Sequence, residues 1–338
     1  MDVLHETPYR AQLDAVLDAD GSSARVAQLK ATFAFEPNGA LKVAEAQEPL
    51  RAVDEYAGES GLSSVLHASD GAFFKPATDV VFAGSIVSPG RRPVRRLNVA
   101  IQVGPVRRNL VVWGDRCWRD GMLGTTISPP ERFSEMPIRW ERAFGGWDRS
   151  HADPGKHRGE GRNPIGTGFR APGSKRSLDS QGLPNFEEAD ALISSASDTP
   201  KPAGLGWTDR SWTPRAACAG HFDEAWQRNR RPLLPVDFDY RFFNGAPPSS
   251  IAPGLFDGGE LVVLREMTEF GGVAFHLPRM EVRFRGTARR RAYDERARLD
   301  TVEIDPSRCT LALTWRLKVQ VLVNEPADVV SARVQRFD

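Results

Sequence analysis

The sequence predicts a mainly β protein, with antiparallel sheets in a sandwich or barrel-like arrangement, a long loop-rich and aromatic-rich central layer, and few short helices. Three observations predict it. Apolar and polar residues alternate with a period of two near both ends of the chain, the pattern of strands with one buried face. Gly, Pro and Asn punctuate those runs at hairpin spacing. Between them, residues 129–258 lose the periodicity and keep the aromatic rings. The 338 residues are expected to form one domain, since all-β architectures often exceed two hundred residues. It divides into a β meander over 25–128, the loop-rich layer over 129–258 and C-terminal hairpins over 259–323.

From Arg25, RVAQLKATFAFEP places Ala27, Leu29, Ala31, Phe33 and Phe35 on one side and Gln28, Lys30 and Thr32 on the other, which reads as a half-buried strand. Asn38-Gly39 then predicts a type I′ hairpin turn, whose two central residues need positive φ, and LKV returns. TDVVFAGSIVS (78–88), RRLNVAIQVG (95–104) and NLVVWGDRCW (109–118) read as an antiparallel meander, with Leu97, Val99, Ile101 and Val103 inward. The C-terminal part repeats the logic in GGELVVLREM, GGVAFHLP with His276 outward, and MEVRFRG with Val282 and Phe284 inward. A last hairpin, TVEIDPSRCTLALTWRLKVQVL, turns at Asp305-Pro306 and presents Leu311, Leu313, Trp315 and Leu317 on one face.

Two helices are expected in the central layer. One follows Asn185, a good N-cap, with Glu187 and Glu188 in its first turn. The other is FDEAWQRNRR (222–231), with Phe222 and Trp226 four apart and Arg230 and Arg231 at its end before Pro232. A connector this long with so little regular structure is functional or disordered. Its many Trp, Phe and Tyr residues argue for an ordered layer laid against the sheets.

Composition narrows the function classes. Forty-five basic residues face forty-four acidic ones, a balance unlike that of a dedicated nucleic-acid binder. The distribution is uneven: residues 1–60 hold eleven Asp/Glu and five Lys/Arg, whereas 279–298 hold eight Arg and three acids. No apolar run reaches the roughly eighteen residues of a membrane span, and the start of the chain is acidic where a secretory signal is basic. A cytoplasmic protein with no membrane partner is the expectation. Cys117, Cys218 and Cys309 are odd in number and widely spaced, which suggests reduced, buried apolar fillers.

Paired carboxylates beside aromatic rings are what a glycosidase needs, so Glu141 with Asp237 or Asp239 forms one candidate site. If PVDFDYRFF is extended, however, Asp237 and Asp239 share a face with Arg241, which lowers their pKa and favours a structural cluster. His151 and His157 match no strong metal-ligand spacing. No GxSxG elbow occurs, and GKHRGEGR resembles a phosphate loop only in holding Gly and Lys. The residues therefore assign no catalytic group, metal or cofactor.

What stands out instead is a set of Gly-, Pro- and Asn-bearing stretches beside large aromatics, the chemistry of fixed loops. MPIRWERAFGG (136–146) carries Trp140, Glu141, Arg142, Phe144, Gly145 and Gly146; its Gly pair suits a positive-φ turn, with Glu141 or Arg142 expected to anchor it by a buried ion pair. NPIGTGF (163–169) carries Asn163, Pro164 and Gly166. The run 231–248 carries Asp237, Asp239, Arg241, Phe242 and Asn244. Some of these rings are expected in the core and others at a partner surface, where aromatic and Arg anchors dominate. Arg283, Arg285, Arg289, Arg290 and Arg291 form an exposed basic segment suited to an acidic partner.

Together with LKATFAF, FKPATDVVFAG (74–84), VGPVRRNLVVWGDRCW (103–118), LPNFE and AGHFDEAWQRNRRPLLPVDFDYRFFNGAPP (219–248), these stretches resemble the domain-of-unknown-function 2169 family. Its members are adaptor and chaperone proteins that accompany toxic effectors of the bacterial type VI secretion system. The resemblance covers nearly the whole chain. It implies a non-enzymatic role: binding a cognate effector and helping to load it onto a VgrG-type spike protein. It carries over no catalytic residue and no contact surface. Phe186, where Ile is common, and the long polar insert WDRSHADPGKHRGEGR depart from the family pattern and bear on effector choice.

Overall fold

A computed structural model of the chain describes residues 3–122, 124–174, 176–322 and 330–337. The outer bound of the expected C-terminal hairpins, residue 323, lies outside the described residues. The first sheet runs in the order Arg10–Leu17, Ser23–Phe35, Thr310–Gln320, Arg298–Asp305, Asp79–Phe82, with Leu41–Val43 returning against Ser23–Phe35. The second runs Phe186–Glu188, Val106–Trp113, Arg96–Val103, Leu261–Thr268, Gly271–His276. A third, smaller sheet joins Arg291–Arg296, Arg279–Ala288 and Ser331–Phe337. The protein is mainly β, and among the described residues no sheet closes into a barrel.

All three sheets feed one core. Leu29, Phe33 and Leu313 from the first sheet meet Val99, Ile101 and Leu264 from the second and Val282 and Phe284 from the third. Burying each such side chain contributes about 1.5–3 kcal/mol, so the alternating inward positions hold the layers together. Leu97, Val99, Ile101 and Val103 are buried as the alternation predicts, and His276 points outward. Leu311, Leu313, Trp315 and Leu317 are buried on one face.

Ser23–Phe35 differs from expectation, because it is buried on both faces. Residues 44–78 cross its outer side and supply polar partners to the residues expected in solvent. The Lys30 ammonium pairs with Asp70 at 2.6 Å, and Gln47 accepts from the Thr32 N–H at 2.8 Å. Next to them Arg316 pairs with Asp300 at 2.6 Å and donates to the carbonyls of Asp70 and Ala72. Charges are tolerated there because each is paired and hydrogen-bonded.

Further expectations are corrected. Asp79–Phe82 does not join a meander with Arg96–Val103; it pairs in parallel with Arg298–Asp305 in the other sheet. The turn after Phe35 is not type I′: Gly39 has φ 83° but Asn38 is not in the positive region, and the preceding Pro37 fixes its own φ negative. A turn with two positive-φ residues occurs instead at Arg289 and Arg290, which have φ 51° and 61°. The helix expected after Asn185 is strand Phe186–Glu188, because Phe186 is buried in the core and its backbone pairs with Leu110–Val112.

The second helix is present as Glu224–Asn229, with Asp223 as N-cap and Phe222 edge-on to Trp226 at 4.8 Å. A strand that the alternation did not announce, Arg10–Leu17, pairs with Ser23–Lys30. The three cysteines are free and half-buried rather than fully buried. No helix among the described residues is long and apolar enough to cross a membrane.

Candidate functional site

WERAFGG and NPIGTGF clasp each other. Phe144–Gly145 pairs in parallel with Thr167–Gly168, and the Gly146 N–H donates to the Asn163 carbonyl at 2.8 Å. Asn163 is fully buried, and its amide donates to the carbonyls of Trp140 and Phe144 at 2.8 and 3.0 Å. The Gly pair is required by both conformation and space. Gly145 and Gly146 have φ 153° and 97°, and added Cβ atoms would lie 2.2 and 2.4 Å from the carbonyl oxygens of Asn163 and Gly166. Pro164, half-buried, occupies the turn that the Gly166 N–H closes on the Asn163 carbonyl.

The same loop is tied to GDRCW and LPNFE. Arg142 donates to Asp115 and to the Asn185 side chain at 3.1 and 3.0 Å, and the Asn185 N–H returns to the Arg142 carbonyl at 2.7 Å. Arg116 and Glu187 form a buried ion pair, with the guanidinium 4.4 Å above the Trp113 ring. Burial pushes the Glu187 carboxyl up and the Arg116 guanidinium down, each opposed by its partner's charge. Asn185 thus serves as a cross-link and not as a helix cap.

FKPATD and FFNGAPP meet at Asp79, whose side chain is fully buried. Its carboxylate accepts from Asn244 Nδ2 at 3.0 Å, from the Gly245 N–H at 3.0 Å and from the Lys75 ammonium at 2.8 Å. Phe242 packs between Phe238 and Phe243, and Arg215 donates to its carbonyl at 2.8 Å.

The three candidate carboxylates are not brought together by any shared partner. Glu141 accepts from the N–H of Ser64 at 2.9 Å and from its hydroxyl, and Ser64 in turn accepts from the Trp140 N–H at 2.7 Å. The anchor of the loop is therefore a serine clamp in place of a buried ion pair. Asp237 accepts from the backbone N–H and ring of His221. Asp239 accepts from the backbone and guanidinium of Arg241 and caps the turn Tyr240–Phe243, so the segment is not extended as expected. The His221 hydrogen bond holds Asp237 below the usual carboxylate range, and that of Arg241 does the same for Asp239. A general acid needs the opposite shift. His157 Nε2 lies 3.0 Å from the His151 carbonyl, which joins the polar insert to itself.

The basic hairpin is exposed, but part of its charge is answered locally. Arg283 pairs with Asp294 and Glu281 at 2.6 and 3.0 Å, and Arg285 pairs with Asp294 at 2.6 Å. Arg289 donates to Gln320 at 2.8 Å. Arg289, Arg290 and Arg291 form the exposed tip.

A cleft of about 1270 Å³ lies beside this clasp. Strand Phe186–Glu188 covers the edge of Val106–Trp113 from Leu110 to Val112, backbone bonds from Ala189 to Asn109 and from Trp113 to Asn185 extend that cover by one residue at each end, and the cleft is lined by Arg107, Arg108 and Asn109 where it stops. Trp140, Pro202, Pro214, Pro247 and Pro248 supply rigid apolar wall, and Arg162 and Lys201 add charge. Trp140 is held edge-on to Trp212 at 5.4 Å and donates its indole N–H to the Trp207 carbonyl at 2.8 Å. Gly204 lets its segment pack closely on that ring, since a Cβ there would lie 2.5 Å from the indole. Arg108 is buried and donates to the Gly204 carbonyl and Ser250 at 3.0 and 3.1 Å; it also pairs with Glu188.

Of the motif residues anticipated from sequence, Trp140 alone lines this cleft, and the basic hairpin does not. Arg108 was missed. Its signal was present, because it sits at an inward position in the alternation Val106, Arg108, Leu110, Val112.

A family model described as an uncharacterized protein conserved in bacteria, DUF2169, matches residues 20–316. No curated protein and no solved structure matches the chain.

Proposed function

The chain belongs to the DUF2169 family of proteins conserved in bacteria, and on that premise we propose that it is a non-enzymatic adaptor and chaperone. It binds a cognate toxic effector of the type VI secretion system and assists its loading onto a VgrG-type spike protein. The observation that carries this reading is the open cleft of about 1270 Å³ walled by Trp140, four prolines and arginine. Small-molecule sites occupy about 300–1000 Å³ and bury most of their ligand. Preset proline and arginine surface over the buried Trp140 ring suits a polypeptide, because rigid and arginine anchors favour protein interfaces and lose little freedom on binding. The motif carboxylates support the same reading, since Glu141, Asp79 and Glu187 are all engaged in fastening loops.

The test is a pull-down from the native cell followed by mass spectrometry. The toxin and spike protein encoded beside this chain are expected in the eluate, and the toxin is expected to lose solubility when the chain is deleted. Recovery of neither protein would falsify the adaptor role. Hydrolysis by Glu141 with Asp237 or Asp239, the competing sequence-based reading, instead predicts turnover that is lost in Glu141→Gln with the fold intact.

A further inference from the structure

We propose that the cleft beside Trp140 receives an extended acidic segment of the partner, with Arg107 and Lys201 meeting its carboxylates. The inference rests on the adaptor reading and adds the chemistry of the bound segment. Four cations, Arg107, Arg108, Arg162 and Lys201, line the cleft against two carboxylates, Glu188 and Asp190. Arg108 is occupied by Glu188, and Arg162 by Glu160. Arg107 and Lys201 are exposed and carry no ion pair among the described residues. Asp190 is likewise exposed and without an ion pair among the described residues, so two unanswered cations stand beside one unanswered carboxylate and the net unanswered charge in the cleft is positive.

The rest of the lining fits the body of an extended chain: Arg107 and Asn109 line the cleft together with Trp140 and the Pro202, Pro214 and Pro247–Pro248 rings. Prolines have no N–H to leave unsatisfied when covered, so they favour a partner that brings apolar side chains between its charges.

The probe is a fluorescein-labelled decapeptide of alternating Glu and Leu, with a Lys–Leu counterpart, titrated into the full chain by anisotropy. The wild type is expected to bind the acidic peptide in preference to the basic one. Arg107→Glu with Lys201→Glu should weaken that binding about tenfold or more, while Arg119→Glu with Arg176→Glu, at exposed positions outside the cleft lining, should leave it unchanged. Circular dichroism checks that each variant is folded, and both cleft positions are exposed enough to tolerate exchange. Equal affinity for both peptides, no binding of the acidic one, or equal loss in the two variants overturns the cleft proposal. A parallel pull-down of the neighbouring toxin separates the two readings. Capture unchanged by the cleft charge reversal sinks the acidic-segment inference alone, whereas absent capture by the wild type sinks the adaptor reading beneath it.

Discussion

The side-chain amide of Asn163 lies 2.8 Å from the carbonyl oxygen of Trp140, and this bond joins the loop that shapes the cleft to the loop that braces it. Asn163 also reaches Phe144 at 3.0 Å, so one buried side chain satisfies two carbonyls that have turned away from regular pairing. Replacing Asn163 by Ala leaves both without this donor. Each buried polar group left unsatisfied costs about 1–3 kcal/mol. Urea unfolding of Asn163→Ala is expected to show a loss of that size or greater, and an unchanged midpoint would contradict the clasp.

Gly146→Ala tests the turn beside it. The positive φ of 97° and the 2.4 Å approach to the Gly166 carbonyl act together. Ala is expected to destabilise the fold by more than about 1 kcal/mol, whereas Ala at Gly61, also at positive φ but with open space around it, should cost less. Thermal melts of the two variants make the comparison; equal shifts would show that the Gly166 contact has no effect.

The Arg116–Glu187 pair is buried on both sides. Removing one partner strands a charge, so Glu187→Gln is expected to lose about 3–5 kcal/mol, and Glu187→Leu with Arg116→Met should recover most of it. If the double variant is as unstable as the single one, the pair contributes more than charge compensation.

Asp18 provides the pH dependence. Burial alone would raise its carboxyl, but hydrogen bonds from Lys318, Tyr240 and the Ala19 N–H outweigh it and hold the carboxyl below the usual range. A lowered folded pKa contributes stability above the unfolded value, about 3.9, and loses it as pH falls through the folded one. The stability gap between wild type and Asp18→Asn should therefore be full near pH 7 and close below about pH 4. Tyr240 is pushed up to about 12 by burial and by Asp18. Its phenol should be the late component of an alkaline absorbance titration, absent in Tyr240→Phe.

Arg289 and Arg290 hold the two positive-φ positions of a hairpin turn, where Asn and Gly are the favoured pair. Arg289→Asn with Arg290→Gly is expected to raise the melting temperature. No change, or a loss, would mean that the arginines make stabilising contacts that outweigh their backbone strain.

Much of the sheet architecture was legible because side-chain direction alternates strictly along a strand. Leu97, Val99 and Ile101, or Leu311, Leu313 and Trp315, announce their inward face without any knowledge of the partner strand. The second buried face of Ser23–Phe35 was not legible, since Lys30 and Thr32 look like solvent-facing residues until residues 44–78 cover them. Local signals also misled where tertiary pairing overrode them: Asn185 has the chemistry of a helix cap, but Phe186 is drawn into the core and Glu187 to Arg116. The motif stretches were recognisable as fixed loops. Which of them bordered the cleft was not, because that depends on where the short strand Phe186–Glu188 stops covering its neighbour.

The most direct test of the central claim is light scattering, coupled to size exclusion, on the purified chain mixed with the toxin encoded beside it. The account predicts a stable complex of defined stoichiometry that elutes ahead of both components and dissociates when Arg107 and Lys201 are reversed in charge. Two separate peaks at the free masses, with the wild-type chain folded and the toxin soluble, would contradict it.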